Sequence, residues 1–250
     1  MSKVDKARCW LYDVSELYDS QTFAEAMDRL PWESRRKKVM RYRFEKDRCL
    51  CLGAGLLAAH ALRCAGEGDL RITFGEHGKP CLERGDGTHF NLSHSGTMAV
   101  CAVSSAEIGV DVEEPHSYDD SVARMCFCES ERNWICAQDN KDESFTRMWI
   151  RKESYLKLTG TGLCDKLTAI DVVPTSSDPL AAFWETTCDG YSISVCSRER
   201  LDIALQQAAP RFWMMSENGV PQGDTPPAVH CGQCTAGGVS PCGTPPSRLL

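Results

Sequence analysis

The sequence lacks the features of a membrane or secreted protein. No window approaches the roughly 18 uninterrupted apolar residues that a membrane span needs. The charged segment from Met1 to Trp10 contains no apolar region typical of a cleaved signal. Positive charge is not in excess, because 28 Lys and Arg residues accompany 35 Asp and Glu residues, and the net charge of −7 argues against a general nucleic-acid binder. We therefore expect a cytoplasmic protein without a membrane or nucleic-acid partner.

Two catalytic motifs are also absent. The sequence contains no GxxxxGK[ST] loop, which argues against a P-loop phosphoryl or nucleotidyl transferase. It contains no GxSxG segment, which argues against a serine hydrolase.

The 15 cysteines are too few for a small disulfide scaffold, and without a signal peptide they are expected to be reduced. Four lie in apolar surroundings and are predicted to be small buried side chains: Cys64, Cys101, Cys136 and Cys196. Near the C-terminus, a candidate set of four zinc ligands consists of Cys231, Cys234, Cys242 and His230. This set suits tetrahedral zinc poorly because His230 and Cys231 are adjacent, so no zinc site is expected.

The length of 250 residues allows one large domain or two small ones, and a composition of 42% apolar and 25% charged residues is typical of a folded protein. Residues 216–250 are rich in Gly, Pro, Thr and Ser. They contain too little apolar surface to offset the entropy of ordering, so we predict a flexible tail and a folded part that ends near Met215.

Apolar periodicity predicts both strands and helices. The predicted strands cover residues 9–12, 98–103, 108–113, 169–173, 182–186 and 191–196. The predicted helices cover residues 20–30, 52–63, 122–137 and 143–158, and Gly160 is placed to cap the last of them. The short connection 104–107 predicts an antiparallel hairpin, and residues 90–96 are interpreted as a loop.

The strand 108–113 carries two carboxylates on one face. Asp111 and Glu113 point away from Ile108, Val110 and Val112, since side chains alternate along a strand. Two such carboxylates repel each other unless a cation or solvent lies between them. A strand with one solvated face explains the pattern equally well.

The helix 143–158 supplies a third carboxylate, Glu153, at the border of its apolar face. Lys157 follows at i+4, so the pair could equally be a surface ion pair. Together with Asp111 and Glu113, Glu153 would give three oxygen ligands of the kind that Mg²⁺ prefers.

Other polar residues are suited to binding a phosphate. Ser93 and His94 are adjacent and would point apart on an extended backbone, so they form no nucleophile–base pair, but either could contact a phosphate or ribose. Lys79 lies in a Gly-Lys-Pro turn. The densely basic stretch 35–48 is either a solvated helix face or a surface that neutralises a polyphosphate or steers an acidic partner.

Four segments together resemble the Sfp-type 4′-phosphopantetheinyl transferases, in the order and at the spacing of that family: HGKPCL (77–82), FNLSHSG (90–96), IGVDVEE (108–114) and WIRKESYLKLTGTGL (149–163). The resemblance runs from about residue 8 to 200. It implies an α/β (α+β) fold of two similar subdomains related by a pseudo-two-fold axis. These would be residues 1–105 and 106–215, followed by the tail 216–250.

The resemblance also implies a reaction: the 4′-phosphopantetheine arm of coenzyme A passes to a serine of an apo acyl or peptidyl carrier protein, and 3′,5′-ADP leaves. By the family's pattern, Asp111, Glu113 and Glu153 bind Mg²⁺, and Glu153 and Lys157 are catalytic. The residues matching coenzyme A contacts are Arg35, Lys38, Lys79, Ser93, His94 and Lys157. Leu50 stands where many relatives carry an arginine, and Arg48 is nearby.

The implied partner is a carrier protein of fatty-acid, polyketide or nonribosomal-peptide synthesis. The segment 117–132 is expected to form part of its docking surface, with Met125, Phe127 and Cys128 as exposed apolar residues. A monomer is expected. The alternative from another class is a non-catalytic carrier-binding module with the same fold.

Overall fold

The computed structural model describes residues 6–84, 87–162, 167–174 and 180–214, and it confirms a mixed α+β protein. The helices are α1 (Ser20–Arg29), α2 (Glu33–Arg41), α3 (Glu45–Cys64), α4 (Asp120–Cys126), α5 (Glu129–Cys136) and α6 (Lys141–Thr159). The strands are β1 (Lys6–Asp13), β2 (Ile72–Phe74), β3 (Pro80–Leu82), β4 (His89–Ser95), β5 (Met98–Ser104), β6 (Ile108–Glu113), β7 (Ala182–Cys188), β8 (Tyr191–Ser197) and β9 (Asp202–Gln207). Short 3-10 helices cover Val14–Tyr18, Leu167–Ala169 and Phe212–Met214.

The described strands form three sheets. The first has the order β4-β5-β1-β9, the second pairs β2 with β3, and the third has the order β6-β8-β7. All neighbouring strands are antiparallel except β1 and β9, which are parallel. The apolar faces of the first and third sheets meet in one core, where Cys9, Leu11 and Val100 pack with Val110 and Ile193.

A long helix packs with the strands of each half. Helix α3 is buried almost all round between Cys49 and Leu62, which explains its nearly continuous apolar sequence. Helix α6 packs against β6 and β8 and ends at Gly160, whose φ of 69° allows the left-handed cap that the sequence predicts. Each long helix thus lies against strands of one sheet, α3 against β4 and β5 and α6 against β6 and β8.

Gly109 sets the distance between β6 and α6. A Cβ atom at this position would collide with the backbone carbonyl of Ser154 and the backbone amide of Leu158. Only glycine therefore allows this close approach, which brings the carboxylate face of β6 against the helix that carries Glu153 and Lys157.

The predicted hairpin between residues 98–103 and 108–113 is wrong. Strand β5 already has β4 and β1 on its two edges, so β6 leaves this sheet and pairs with β8 instead. The predicted loop at residues 90–96 is strand β4.

Three other local predictions also need correction. The predicted strand 169–173 is absent: Ala169 ends a 3-10 helix that begins at Leu167, and residues 170–173 form no regular secondary structure. The predicted helix 122–137 is two helices, α4 and α5, separated at Phe127 and Cys128. Cys136 is exposed and Cys64 is half-buried, whereas Cys101 and Cys196 are buried as expected.

The end of the described chain returns to the N-terminal half. Strand β9 joins the first sheet beside β1, and Phe212 and Trp213 pack against the core around α3. The boundary near residues 104–107 remains a prediction. The predicted tail 216–250 and the cysteines considered for zinc lie outside the described residues. Within the part of the chain that is described, no helix is both long and apolar enough to cross a membrane.

Candidate active site

Asp111 lies at the centre of the polar cluster between β4, β6 and α6. Its side chain is buried, and Oδ1 accepts hydrogen bonds from the hydroxyl of Ser93 at 2.7 Å and the ammonium of Lys157 at 2.6 Å. Lys157 also donates to Ser93 Oγ at 2.7 Å. Asp111 Oδ2 is buried and has no hydrogen-bond partner among the described residues. A buried carboxylate oxygen without a partner is costly, and a cation ligand would satisfy it.

Glu153 projects from α6 one turn before Lys157. The pKa of its carboxyl is raised to about 7, mainly by burial. The negative charges of Asp111 and Glu113 also raise it, and together they outweigh the lowering effect of Lys157. This pKa is well placed for a group that takes up a proton near neutral pH.

The other charged groups of the site influence one another. Burial raises the pKa of Asp111 even though Lys157 lowers it. Burial also opposes ionisation of Glu113, but hydrogen bonds from His116 and Ser95 hold its pKa below the usual value. Burial disfavours the charged form of Lys157, yet Asp111 and Glu153 outweigh this effect and raise its pKa.

Asp111, Glu113 and Glu153 offer the donor chemistry of a site for a hard divalent cation, although their carboxylate oxygens do not all lie within 4.8 Å of one another. The orphaned oxygen of Asp111 and the carboxylates of Glu113 and Glu153 form an excess of negative charge that Lys157 only partly neutralises. Oxygen donors of this kind are the ligands that Mg²⁺ prefers.

A tighter group of possible ligand atoms lies elsewhere. Within the described residues, ligand atoms of Cys128, Glu131 and Asp171 lie within 4.8 Å of one another. Both oxygens of Glu131 are already used, since Oε1 accepts from the amide of Val172 and Oε2 from Lys152 at 2.6 Å. This second group is explained by structural hydrogen bonds, so it gives no reason to assign a metal.

The residues predicted to contact coenzyme A are not all directed into one site. The ammonium of Lys79 donates to the carbonyl of Leu158 at 2.9 Å and of Ile108 at 3.3 Å, so it binds the C-terminal end of α6 and the start of β6. Burial lowers its pKa. Ser93 is occupied by Asp111 and Lys157.

His94 lies in a more positive region. Although the residue keeps solvent-accessible surface, desolvation by the surrounding protein and the charges of Lys157, Arg35 and Lys38 lower its pKa to about 4. The guanidinium Nε of Arg35 donates to the carbonyl of Cys51. The positive charges of Lys157, Arg35 and Lys38 thus all act at His94, and such a concentration of positive charge favours an anionic ligand.

Two predictions outside this cluster have different outcomes. Leu50 is buried in the core around α3, so it makes no polar contact of the kind an arginine would make there. Met125 is 57% exposed as expected, but Phe127 is fully buried against Phe145, so its prediction as an exposed docking residue is wrong.

Sequence reasoning missed several residues that build the site. Ser95 and His116 bond Glu113, and the buried ammonium of Lys152 bonds Glu131 and three backbone carbonyls. The alternation of Asn91, Ser93 and Ser95 would have indicated Ser95 if residues 90–96 had been recognised as a strand. No sequence signal separates the structural Lys152 from the neighbouring Glu153.

The fold and the site define an α+β protein in which a cluster of carboxylates with one lysine lies between strands and a long helix. Residues 107–207 match the 4′-phosphopantetheinyl transferase superfamily. A 4′-phosphopantetheinyl transferase of Bacillus subtilis is 30% identical over 179 residues, which cover 65% of this chain and 80% of the relative. The chain belongs to the 4′-phosphopantetheinyl transferase superfamily.

Other relatives match over shorter segments. The 4′-phosphopantetheinyl transferase Sfp of Bacillus subtilis (strain 168) is 31% identical over 52% of this chain and 63% of its own length. HetI of Nostoc sp. is 37% identical over 45% of this chain and 50% of its own length. The chain thus spans less than two thirds of several of these curated relatives. A solved holo-[acyl-carrier-protein] synthase of Thermotoga maritima shares 19% identity over 38% of this chain and 64% of that one, with a TM-score of 0.33.

Proposed function

We propose that this protein transfers the 4′-phosphopantetheine arm of coenzyme A to a serine hydroxyl of an apo carrier protein, releasing 3′,5′-ADP. The observation that supports it most is the convergence of Asp111, Glu113, Glu153 and Lys157 in a chain whose relatives are named as transferases of this kind. We place the enzyme in the Sfp type and expect a cytoplasmic monomer.

Glu153 is the proposed general base. Burial makes its carboxylate more basic than usual by raising its pKa, and this carboxylate would take the proton of the carrier serine directly or through a water. The serine oxygen then attacks the β-phosphorus of coenzyme A. The bond from this phosphorus to the bridging oxygen breaks, and the electron pair leaves with 3′,5′-ADP.

Lys157 is the proposed electrostatic partner of the reacting phosphates. Its ammonium remains charged because Asp111 and Glu153 raise its pKa, and it contacts Asp111 directly in the absence of substrate. Asp111, Glu113 and Glu153 are the residues that would hold Mg²⁺, which when bound would stabilise negative charge on the pyrophosphate oxygens. Preorganised charges of this kind are a major source of catalysis.

Coenzyme A is expected to bind where the positive charges meet this cluster. Arg35, Lys38 and His94 would face its phosphates, since the charges of Arg35, Lys38 and Lys157 all lie close enough to His94 to lower its pKa. The ammonium of Lys79 is occupied by backbone carbonyls, so its contribution would be to hold α6 in place or to exchange partners when the nucleotide binds.

The carrier is expected to dock against the segment 117–132, where Met125 is the exposed apolar side chain. Apolar residues at the centre of an interface and polar residues at its rim are typical of protein docking surfaces. Arg124 and Asp120 form an exposed ion pair next to Met125 and would belong to this rim.

The test is the intact mass of apo carrier proteins of the fatty-acid, polyketide and nonribosomal-peptide classes after incubation with the enzyme, coenzyme A and Mg²⁺. We expect at least one carrier to gain the mass of one phosphopantetheine group. If no carrier gains mass while one binds the protein stoichiometrically, the transferase proposal fails and the non-catalytic carrier-binding module is supported.

A further inference from the structure

Two serines of β4 face the two carboxylates of β6. Ser93 donates to Asp111 Oδ1 at 2.7 Å, and Ser95 donates to Glu113 Oε2, also at 2.7 Å. Ser95 lies two residues after Ser93, and Glu113 lies two residues after Asp111. Because side chains two residues apart share a face of a strand, one face of β4 lies opposite one face of β6. Asn91 extends the series by accepting a hydrogen bond from the backbone amide of Val110.

Both carboxylates are held at one oxygen only. Asp111 Oδ1 accepts from Ser93 and Lys157, which leaves Oδ2 without a partner among the described residues. Glu113 Oε2 accepts from Ser95 and lies 3.3 Å from His116 Nε2, and no described residue bonds Oε1. The two free oxygens, Asp111 Oδ2 and Glu113 Oε1, are the ones available to a ligand.

His116 is itself anchored to α6. Its backbone amide donates to Thr146 Oγ1 at 2.8 Å, and this hydroxyl bonds the carbonyl of Asp142 at 3.0 Å. The His116 side chain is only 14% exposed and that of Glu113 21%. The imidazole is thus fixed between the end of β6 and the helix that carries Glu153.

We propose that Ser95 and His116 are positioning residues that orient Glu113 to bind a divalent cation through Oε1. This inference rests on the proposed function only in its choice of Glu113 as a metal ligand. Donors that hold the non-ligating oxygen of a carboxylate reduce its rotational freedom, and removing such a partner typically weakens metal binding by about 10-fold to 100-fold.

The experiment measures Mn²⁺ binding to the purified protein by electron paramagnetic resonance, with no carrier present. His116→Phe keeps an aromatic ring but removes the donor, and His116→Gln restores an N–H group. We expect roughly 10-fold weaker Mn²⁺ binding in His116→Phe and Ser95→Ala. We expect recovery in His116→Gln and Ser95→Thr. The control is His89→Phe, since His89 is an exposed histidine on β4, the strand that carries Ser95.

The thermal midpoint of each variant separates positioning from stability. Wild-type affinity in His116→Phe and Ser95→Ala would overturn the proposal. So would His116→Gln binding as weakly as His116→Phe at an unchanged midpoint, or a wild-type protein that binds no Mn²⁺. If the Mn²⁺ pattern is as expected while no carrier is modified, the positioning role stands and the proposed function fails.

Discussion

At the scale of single residues, Gly109 is decisive because it permits contact between two backbones. The face of β6 that carries Asp111 and Glu113 touches α6 at this point, opposite Ser154 and Leu158. The glycine thus determines how far Glu153 and Lys157 lie from the strand carboxylates. Its role is packing, and the position of the whole carboxylate cluster depends on it.

Gly109→Ala is expected to destabilise the fold by about 1–3 kcal/mol, because an added methyl group must push α6 away from β6. The measurement is the free energy of unfolding in urea. Gly68→Ala is the control, since a Cβ at Gly68 meets no atom within 4 Å. Equal stability of the two variants would refute the close-contact role of Gly109.

His60 makes stability depend on pH. Burial between Trp10 and Phe212 lowers its pKa from 6.5 to about 4, with a smaller effect of Arg63. Between these two pH values the unfolded chain binds a proton that the folded chain does not, so stability falls as the pH drops from about 6.5 to about 4. We expect His60→Phe to reduce this slope in urea titrations across that range, whereas His89→Phe should leave it unchanged. An unaltered slope in His60→Phe would contradict the assignment.

At the scale of elements, Lys152 ties α6 to the segments beside it. Its ammonium bonds Glu131 at 2.6 Å and the carbonyls of Cys126, Leu167 and Ile170, and both charged side chains are almost completely buried. The basic residue next to Glu153 therefore has a structural role. It fixes α4, α5 and the 3-10 helix Leu167–Ala169 against α6.

Lys152→Met is expected to cost about 3–5 kcal/mol in the free energy of unfolding, because it leaves the Glu131 charge buried without its partner. Adding Glu131→Gln should recover part of the loss, since the remaining side chain is neutral. Lys46→Met, at an exposed position, serves as the control. A loss in the double variant equal to or larger than that in Lys152→Met would show that the pair is not what stabilises this region.

The elements differ in how well the sequence predicts them. Strand β6 and helix α6 have clear apolar periods, so both were predicted within about two residues of their observed bounds. Strand β4 was missed because one face carries the polar Asn91, Ser93 and Ser95, and the opposite face offers only Phe90 and Leu92 as apolar residues before His94. The β5–β6 hairpin was wrong because connection length does not specify which strand supplies the next edge; β1 and β8, distant in sequence, decide that.

The residues of the site also differ in how well the sequence predicts them. The types and spacing of Asp111, Glu113, Glu153 and Lys157 left a solvated strand face and a surface ion pair open, and only the family resemblance grouped the four residues. The structure brings Lys157 into contact with Asp111, and the roles of all four remain predictions. The supporting residues were not predictable, because His116 reaches Glu113 only through its anchor to Thr146 in another element. Such contacts depend on tertiary packing, which local periodicity does not encode.

At the scale of the whole molecule, the two halves share one apolar core. Residues of β1 and β5 pack with residues of β6 and β8, and β9 returns to pair with β1. Neither half can therefore expose its inner sheet face without losing buried apolar surface. The boundary predicted near residues 104–107 would then not separate two independently folding domains, and both halves would unfold together.

We expect a single cooperative unfolding transition. Tryptophans lie in both halves, for example Trp10 and Trp149, so fluorescence reports on each half while far-UV circular dichroism reports on the whole. The two signals should give coincident urea curves. Separate midpoints would show that the halves unfold independently and would contradict the shared-core description.

The central claim is that the carboxylate cluster with Lys157 catalyses phosphopantetheine transfer. The most direct test compares Glu153→Gln with Glu143→Gln, an exposed substitution on the same helix, by following the mass of an apo carrier over time with coenzyme A and Mg²⁺. We predict that Glu153→Gln is at least about 100-fold slower, the lower range for loss of a general base, and that Glu143→Gln matches the wild type. Transfer at the wild-type rate by Glu153→Gln would contradict the claim.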